Sequence, residues 1–145
     1  MSHLTEIDIL INDLTALKGA VSELGAEWRE GQKTYVWYGR SVGDYPLPAG
    51  FTKADLGKSE HAIRLPGCEY EIGVVKKKDG SNTYTLLFDF WGPGRRLQQH
   101  FGNGLEKLKQ MYGVHRATAT ARARGYMVQR KPQANGAIKL VVTGV

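Results

Sequence analysis

Apolar residues recur along the chain first with the period of a strand and then with the period of a helix. Residues 4–10, LTEIDIL, alternate their acids with Thr and Ile, which predicts a strand that has one face toward solvent. The next stretch, NDLTALKGAVSELG, predicts a helix whose apolar face comprises Leu14, Leu17, Val21 and Leu24. Asn12 or Asp13 would cap the start of this helix, and Gly25 would end it.

The middle of the chain is rich in β-branched and aromatic residues that are separated by turn signals. The stretch AEWREGQKTYVWYGR predicts a hairpin that turns at Gly31-Gln32. Glycines and prolines then break every period over about residues 41–60, which predicts a long inserted loop. The stretches HAIRL, EYEIGVVKK and NTYTLLFDFW predict a meander of antiparallel strands, in which Leu86, Phe88 and Phe90 share one face.

Helical spacing returns after Gly94 and continues to Gly125. Asn103 followed by Glu106 predicts a capping box, at which a second helical segment begins. The closing stretch, GYMVQRKPQANGAIKLVVTG, predicts a hairpin that turns at Asn135-Gly136. The order β-α-β-β-β-β-β-α-β-β predicts a single α+β domain over residues 1–145, with a mainly antiparallel sheet covered on one face by two helices.

Composition narrows the class of protein. A length of 145 residues with 41% hydrophobic residues suits one soluble domain with its own core. Cys68 stands alone, which excludes an intrachain disulfide, and we expect it to be a small residue in a turn. No apolar run approaches the roughly 20 residues that span a bilayer, and the first residues do not resemble a secretory signal. We therefore expect a cytoplasmic protein that has no membrane partner.

The net charge of +6 favours a polyanionic partner, because an excess of basic residues attracts phosphate backbones. Many basic domains bind no nucleic acid, so charge alone leaves the partner open. The late helix adds further bases, but Arg122 and Arg124 point about 200° apart at 100° per residue. A solvated helix surface is the simpler interpretation of these charges.

The segment GPGRR, between a strand and a helix, is a candidate anion site formed by Gly92, Gly94, Arg95 and Arg96. Glycines allow close backbone approach, and arginine forks match phosphate oxygens. Two cations also conflict with the positive end of a helix, and an anion would relieve that conflict. Neither nucleotide-loop signature is present, so a solvated turn is the alternative.

A second candidate surface mixes aromatic and basic residues. On a sheet, such residues stack exposed bases while the cations follow phosphates, although aromatic residues on strands more often pack in cores. RNP-type sequence signatures are absent. The candidate partner-binding residues are Trp28, Arg29, Trp37, Tyr38, Arg40 and Tyr45.

Catalytic and metal-binding signatures are absent from the sequence. The histidines have no metal-ligand spacing, and there is no G-x-S-x-G elbow, so we expect no metal and no cofactor. His115 continues an apolar helix face and is predicted to be a core histidine. Asp89 lies in an apolar strand, where a buried carboxylate needs a partner.

Five stretches together resemble a known family: MSHLTEI, YEIGVV, DFW, LEKLKQMYGVH and GYMVQRKPQANGAIKLVV. They resemble the hypothetical chloroplast-frame family Ycf thirty-five, also called domain of unknown function twelve fifty-seven. The resemblance implies a small α+β protein and brings no catalytic residues with it. The chain departs from the family pattern at the inserted loop and at GPGRR.

Three functions follow as hypotheses. The first is a non-catalytic binding or adaptor protein that docks on a macromolecular partner through its basic, aromatic surface. The second is a nucleic-acid-binding module, whose affinity would fall steeply with salt. The third is an enzyme acting on a phosphorylated small molecule, with Arg95 and Arg96 holding phosphate and Asp89 or His100 moving a proton. The sequence does not fix the oligomeric state.

Overall fold

A computed structural model describes residues 4–39, 47 and 50–144 of the chain. These residues form seven strands and three helices, with single 3-10 turns at Lys53–Asp55 and Gly92–Gly94. In chain order the elements are β1 (Leu4–Ile11), α1 (Leu14–Glu23), β2 (Glu27–Arg29), β3 (His61–Arg64), β4 (Glu71–Lys76), β5 (Tyr84–Asp89), α2 (Arg95–Phe101), α3 (Glu106–Ala123), β6 (Met127–Pro132) and β7 (Ile138–Thr143). The predicted α+β class is confirmed.

Five strands form one antiparallel sheet in the order β1-β5-β4-β3-β2. The predicted meander is confirmed, because β3 pairs with β4 and β4 pairs with β5. Strand β1 pairs with the outer edge of β5. The closing hairpin is also confirmed, but β6 and β7 form a two-stranded sheet of their own rather than extending the larger one.

The helices pack on one face of the five-stranded sheet and enclose the main core. From α1 and α3 this helix-side core takes Leu17, Val21, Leu108 and Tyr112, and from β5 it takes Leu86 and Phe88. The start of α1 is fixed by Asp13, whose Oδ1 accepts a hydrogen bond of 3.0 Å from the Ala16 N–H. Both the predicted cap and the predicted apolar face of α1 are therefore confirmed.

The opposite face of the sheet is covered by irregular chain instead of solvent. A second apolar cluster, the loop-side cluster, lies there and comprises Tyr35, Phe51, Ala62, Val75 and Leu87. Half-buried Trp37 and Leu47 pack against it. Each face of the sheet thus has its own apolar layer.

The predicted hairpin over residues 26–40 is wrong. Only Glu27–Arg29 is a strand, and an isolated bridge joins Thr34 to Lys58. The aromatic residues of this segment have high strand propensity, but tertiary contacts override it because Tyr35 is buried against the sheet face. The predicted loop at 41–60 lies partly outside the described residues.

The second helical segment predicted after Gly94 is present as α3, separate from α2, so the described chain has three helices where the predicted order has two. Leu105 precedes α3 in the left-handed conformation, with φ at 55°, and is fully buried. The Glu106 carboxylate accepts a hydrogen bond of 2.9 Å from the Gly104 N–H. The capping box predicted for Asn103 is therefore wrong: Leu105 takes the cap position and has no capping side chain.

Candidate functional site

The glycines of GPGRR are explained by backbone geometry. A Cβ on Gly94 would overlap the carbonyl oxygen of Asp89, so the chain can pass β5 closely only with glycine there. Gly92 has φ at +54°, which also favours glycine. The segment forms a 3-10 turn that leads directly into α2. Local packing thus accounts for these glycines without an anion.

The two arginines of GPGRR contact different neighbours. The Arg95 guanidinium lies over the ring of Trp91, 4.7 Å from its centroid. The Arg96 guanidinium extends above Gly67 and, with Leu65 and His100, lines a hollow of about 210 Å³. Helix α2 is also only seven residues long, which limits its dipole. Anion binding by Gly92, Gly94, Arg95 and Arg96 remains a prediction.

The two tryptophans of the predicted aromatic surface lie on opposite faces of the sheet. Trp28 packs against the helix-side core, with its ring 5.2 Å from that of His61, and Trp37 packs against the loop-side cluster. Arg29 forms an ion pair of 3.0 Å with Glu27. Tyr38 is exposed, whereas Arg40 and Tyr45 lie outside the described residues. Partner binding by this set remains a prediction, but the two tryptophans do not share one surface.

Two buried carboxylates fasten the irregular segment to the sheet. Glu71 Oε1 accepts hydrogen bonds of 2.9 Å from the Val36 N–H and from Gln32 Nε2. Asp89 accepts from the Tyr38 N–H at 3.3 Å and from the Trp91 N–H at 3.0 Å. Both side chains therefore act as hydrogen-bond acceptors that hold the chain in place.

The enzyme hypothesis named Asp89 or His100 as the group that moves a proton, and these two side chains lie in different surroundings. Asp89 bonds the segment that covers the loop side of the sheet, whereas His100 Nε2 lies 2.6 Å from the Leu24 carbonyl oxygen at the end of α1. Burial raises the pKa of the Cys68 thiol, and its Sγ lies 3.5 Å from the Pro93 carbonyl oxygen, as expected for a residue packed in a turn. Of these groups, His100 lines the hollow that also contains Arg96, and proton transfer by Asp89 or His100 remains a prediction.

Residues 4–39, 47 and 50–144 contain neither a metal-binding cluster nor a membrane-spanning helix. No cluster of three or more His, Cys, Asp or Glu side chains with a suitable arrangement for a metal ion occurs there. Within the same ranges, every helix is too short or too polar to cross a bilayer.

A groove of about 590 Å³ lies between α3 and the hairpin formed by β6 and β7. Its floor is made by small residues of α3, among them Gly113, Ala117 and Thr120. Tyr126 and Val142 line it from the hairpin side, and both are exposed. Because the floor residues are small, the groove is open along the helix surface.

Arg116 of α3 and Arg124, which caps the end of α3, line this groove. They are eight residues apart, or about 12 Å along the helix axis at 1.5 Å per residue. None of the described residues that line the groove is acidic. We call this feature the basic groove and define it by Arg116, Arg124, Tyr126 and the small residues of α3 between them.

The basic groove lies in the most positive part of the chain. Residues 106–145 contain eight lysines and arginines and one acid, Glu106, which gives a charge of +7. Residues 1–105 contain twelve lysines and arginines and thirteen acids, which gives −1. The faces of α3, taken one at a time, do not reveal this groove. The charge asymmetry along the sequence does indicate a strongly basic segment at its position.

A three-residue network attaches the hairpin to the helices. Glu23 at the end of α1 accepts hydrogen bonds from His115 of α3 at 2.8 Å and from Arg130 of β6 at 2.6 Å. The hydrogen bond from Arg130 lowers the pKa of Glu23, and the bond from His115 lowers it further. His115 is half-buried and hydrogen-bonded to Glu23, so the expectation of a histidine inside the apolar core needs correction.

Comparison with known proteins identifies the family. Residues 20–141 match the family model described as a protein of unknown function (DUF1257). The chain belongs to this family. No curated protein and no solved structure matches it. The resemblance to the domain of unknown function twelve fifty-seven is confirmed, and the chloroplast-frame name stays a prediction.

Proposed function

We propose that this DUF1257 protein is a binding or adaptor protein, rather than an enzyme, and that it docks on an acidic macromolecular partner. The docking surface is the basic groove. The observation that carries this proposal is an open groove lined by Arg116 and Arg124, without acids among its described lining residues, in a chain segment of charge +7. Such a field attracts polyanions and accelerates their association.

The arrangement of the buried acids favours binding over catalysis. Glu71 and Asp89 accept hydrogen bonds from backbone N–H groups, and these bonds give them a structural role. In this proposal the basic groove takes the role that the sequence suggested for the segment around Trp28 and Trp37. A contribution from that segment to the same partner stays a prediction.

Chromatography on immobilised heparin, a sulfated polyanion, tests the proposal. The full chain should be retained, and Arg116→Gln/Arg124→Gln should elute at a clearly lower salt concentration because it removes both arginines of the groove. The matched control is Lys53→Gln/Lys58→Gln, which removes two exposed charges in the other part of the chain. This control should elute close to the wild-type protein.

Equal shifts for the two double variants would mean that net charge alone governs retention. Retention that does not change when Arg116 and Arg124 are replaced would also contradict docking through the basic groove. Circular dichroism of each variant checks that the fold is retained.

A further inference from the structure

We infer that the partner held in the basic groove is single-stranded nucleic acid, with Tyr126 as the platform on which a base stacks. This inference rests on the proposed function and names its partner. It depends on three features of the groove: an exposed aromatic ring, two arginines and a floor of small residues. The ring and the floor suit a base, and the arginines suit the phosphates.

Tyr126 is the aromatic feature. Its side chain is 43% exposed and lines the groove. Gly144 lies beside the ring, since a Cβ placed on it would be in ordinary van der Waals contact with Tyr126 Cε1, at 3.6 Å. An exposed ring is a stacking platform for an unpaired base.

Arg116 and Arg124 supply the charge. Guanidinium groups form paired hydrogen bonds with phosphate oxygens, and these two lie about 12 Å apart along α3. A backbone that follows α3 can therefore contact both arginines. Between them, Ala117 and Thr120 leave room beside Tyr126 for a base.

The Tyr126 ring favours single strands over other polyanions, because only a single strand offers it the face of an unpaired base. A duplex keeps its bases stacked on one another, so Tyr126 has no base face to contact. A peptide made of acidic residues alone, such as poly-glutamate, satisfies the arginines but has no aromatic ring to cover Tyr126 and the neighbouring Val142. Single-stranded nucleic acid uses all three features.

Fluorescence anisotropy on the full chain tests the inference. The probes are labelled DNA and RNA single strands of about 15 nucleotides, within the usual site sizes. A duplex of the same sequence and a poly-glutamate peptide serve as competitors. The single strands should bind most tightly, and the difference between DNA and RNA identifies the source of the ligand.

Two sets of variants divide the contributions. Tyr126→Ser should weaken single-strand binding by about 5- to 100-fold, whereas Tyr126→Phe, which keeps the ring, should stay within about two-fold of wild type. Arg116→Gln/Arg124→Gln should reduce the slope of log K against log salt by about 1.4, at about 0.7 per phosphate contact on a single strand. The salt slope tests the same site even if Tyr126→Ser folds poorly.

The outcomes separate this inference from the proposed function. If heparin retention depends on the two arginines but poly-glutamate or duplex competes as well as single strands, the partner class is wrong and docking through the groove stands. Equal binding by Tyr126→Ser and wild type overturns the stacking role. If heparin retention is independent of the arginines, both proposals fail.

Discussion

The side chains of Glu71 and Asp89 accept hydrogen bonds from backbone N–H groups of residues 36–38. In a regular sheet, carbonyl groups of a neighbouring strand would accept these bonds. A buried carboxylate loses its hydrogen bonds to water, and protein donors of this kind replace them. The sequence predicts that a buried acid needs a partner, but the partners here include backbone N–H groups, which carry no signature in the sequence.

Replacing Glu71 by leucine should lower the free energy of unfolding by about 1–3 kcal/mol, because the Val36 N–H and the Gln32 side chain lose their acceptor. Urea unfolding measures this change. Glu69→Leu is the matched control, since Glu69 is exposed two residues away, and it should stay within about 0.5 kcal/mol of wild type. A similar loss for both variants would contradict the structural role of Glu71.

At the scale of elements, β4 is built around Gly73. The ring of Tyr35 lies directly against this glycine, and a Cβ there would meet ring atoms Cδ1, Cε1 and Cγ, with Cγ at 2.8 Å. Because Gly73 has no side chain, the Tyr35 ring packs directly on the backbone of β4 and forms part of the loop-side cluster. One small residue in a strand permits the second apolar layer.

Gly73→Ala should therefore destabilise the protein by about 1–3 kcal/mol through overpacking, even though alanine suits a strand better than glycine. Gly113→Ala is the matched comparison, because a Cβ on this helical glycine meets no atom within 4 Å. It should raise the free energy of unfolding by up to about 1 kcal/mol. Chemical denaturation of Gly73→Ala, Gly113→Ala, Tyr35→Ala and Tyr35→Ala/Gly73→Ala measures these changes in the free energy of unfolding. The double variant should lose less stability than Tyr35→Ala and Gly73→Ala added together.

Elements with one dominant period could be predicted from the sequence. Helix α1, strands β3 to β5 and the β6–β7 hairpin follow from local spacing and turn residues alone. Residues 35–38 have the composition of a strand but bind acceptors far away in the chain, and local propensity does not contain that information. The basic groove was missed for the same reason: Tyr126 and Arg116 meet only when the hairpin folds onto α3.

At the scale of the whole molecule, the network around Glu23 joins the near-neutral part of the chain to the strongly basic part. Glu23 belongs to α1, while His115 and Arg130 belong to the segment of charge +7. One carboxylate thus balances part of the positive charge where the hairpin meets the helices. This arrangement fixes the hairpin beside α3 and so shapes the basic groove.

The pKa of Glu23 is lowered in the folded protein, so its contribution to stability is present above its ordinary value of 4.5 and is lost as the pH falls through the lower folded value. Wild type should exceed Glu23→Gln in free energy of unfolding by about 0.5–1 kcal/mol at pH 7, a modest value because the pair is partly solvated. Denaturation curves between pH 7 and about pH 3 should show this difference shrinking toward zero. A constant difference across that range would mean that the network contributes through packing rather than charge.

The separation of the hairpin from the five-stranded sheet has a consequence for how the family can diverge. No hydrogen-bond ladder joins β6 or β7 to the larger sheet in the described chain, so a substitution on the hairpin leaves the pairing of the other strands unchanged. Most β6 side chains are exposed, where replacements cost little stability. The exposed face of β6 can therefore vary in sequence without disturbing the five-stranded sheet, whereas Ile138 and Leu140 of β7 are held by their packing against the core.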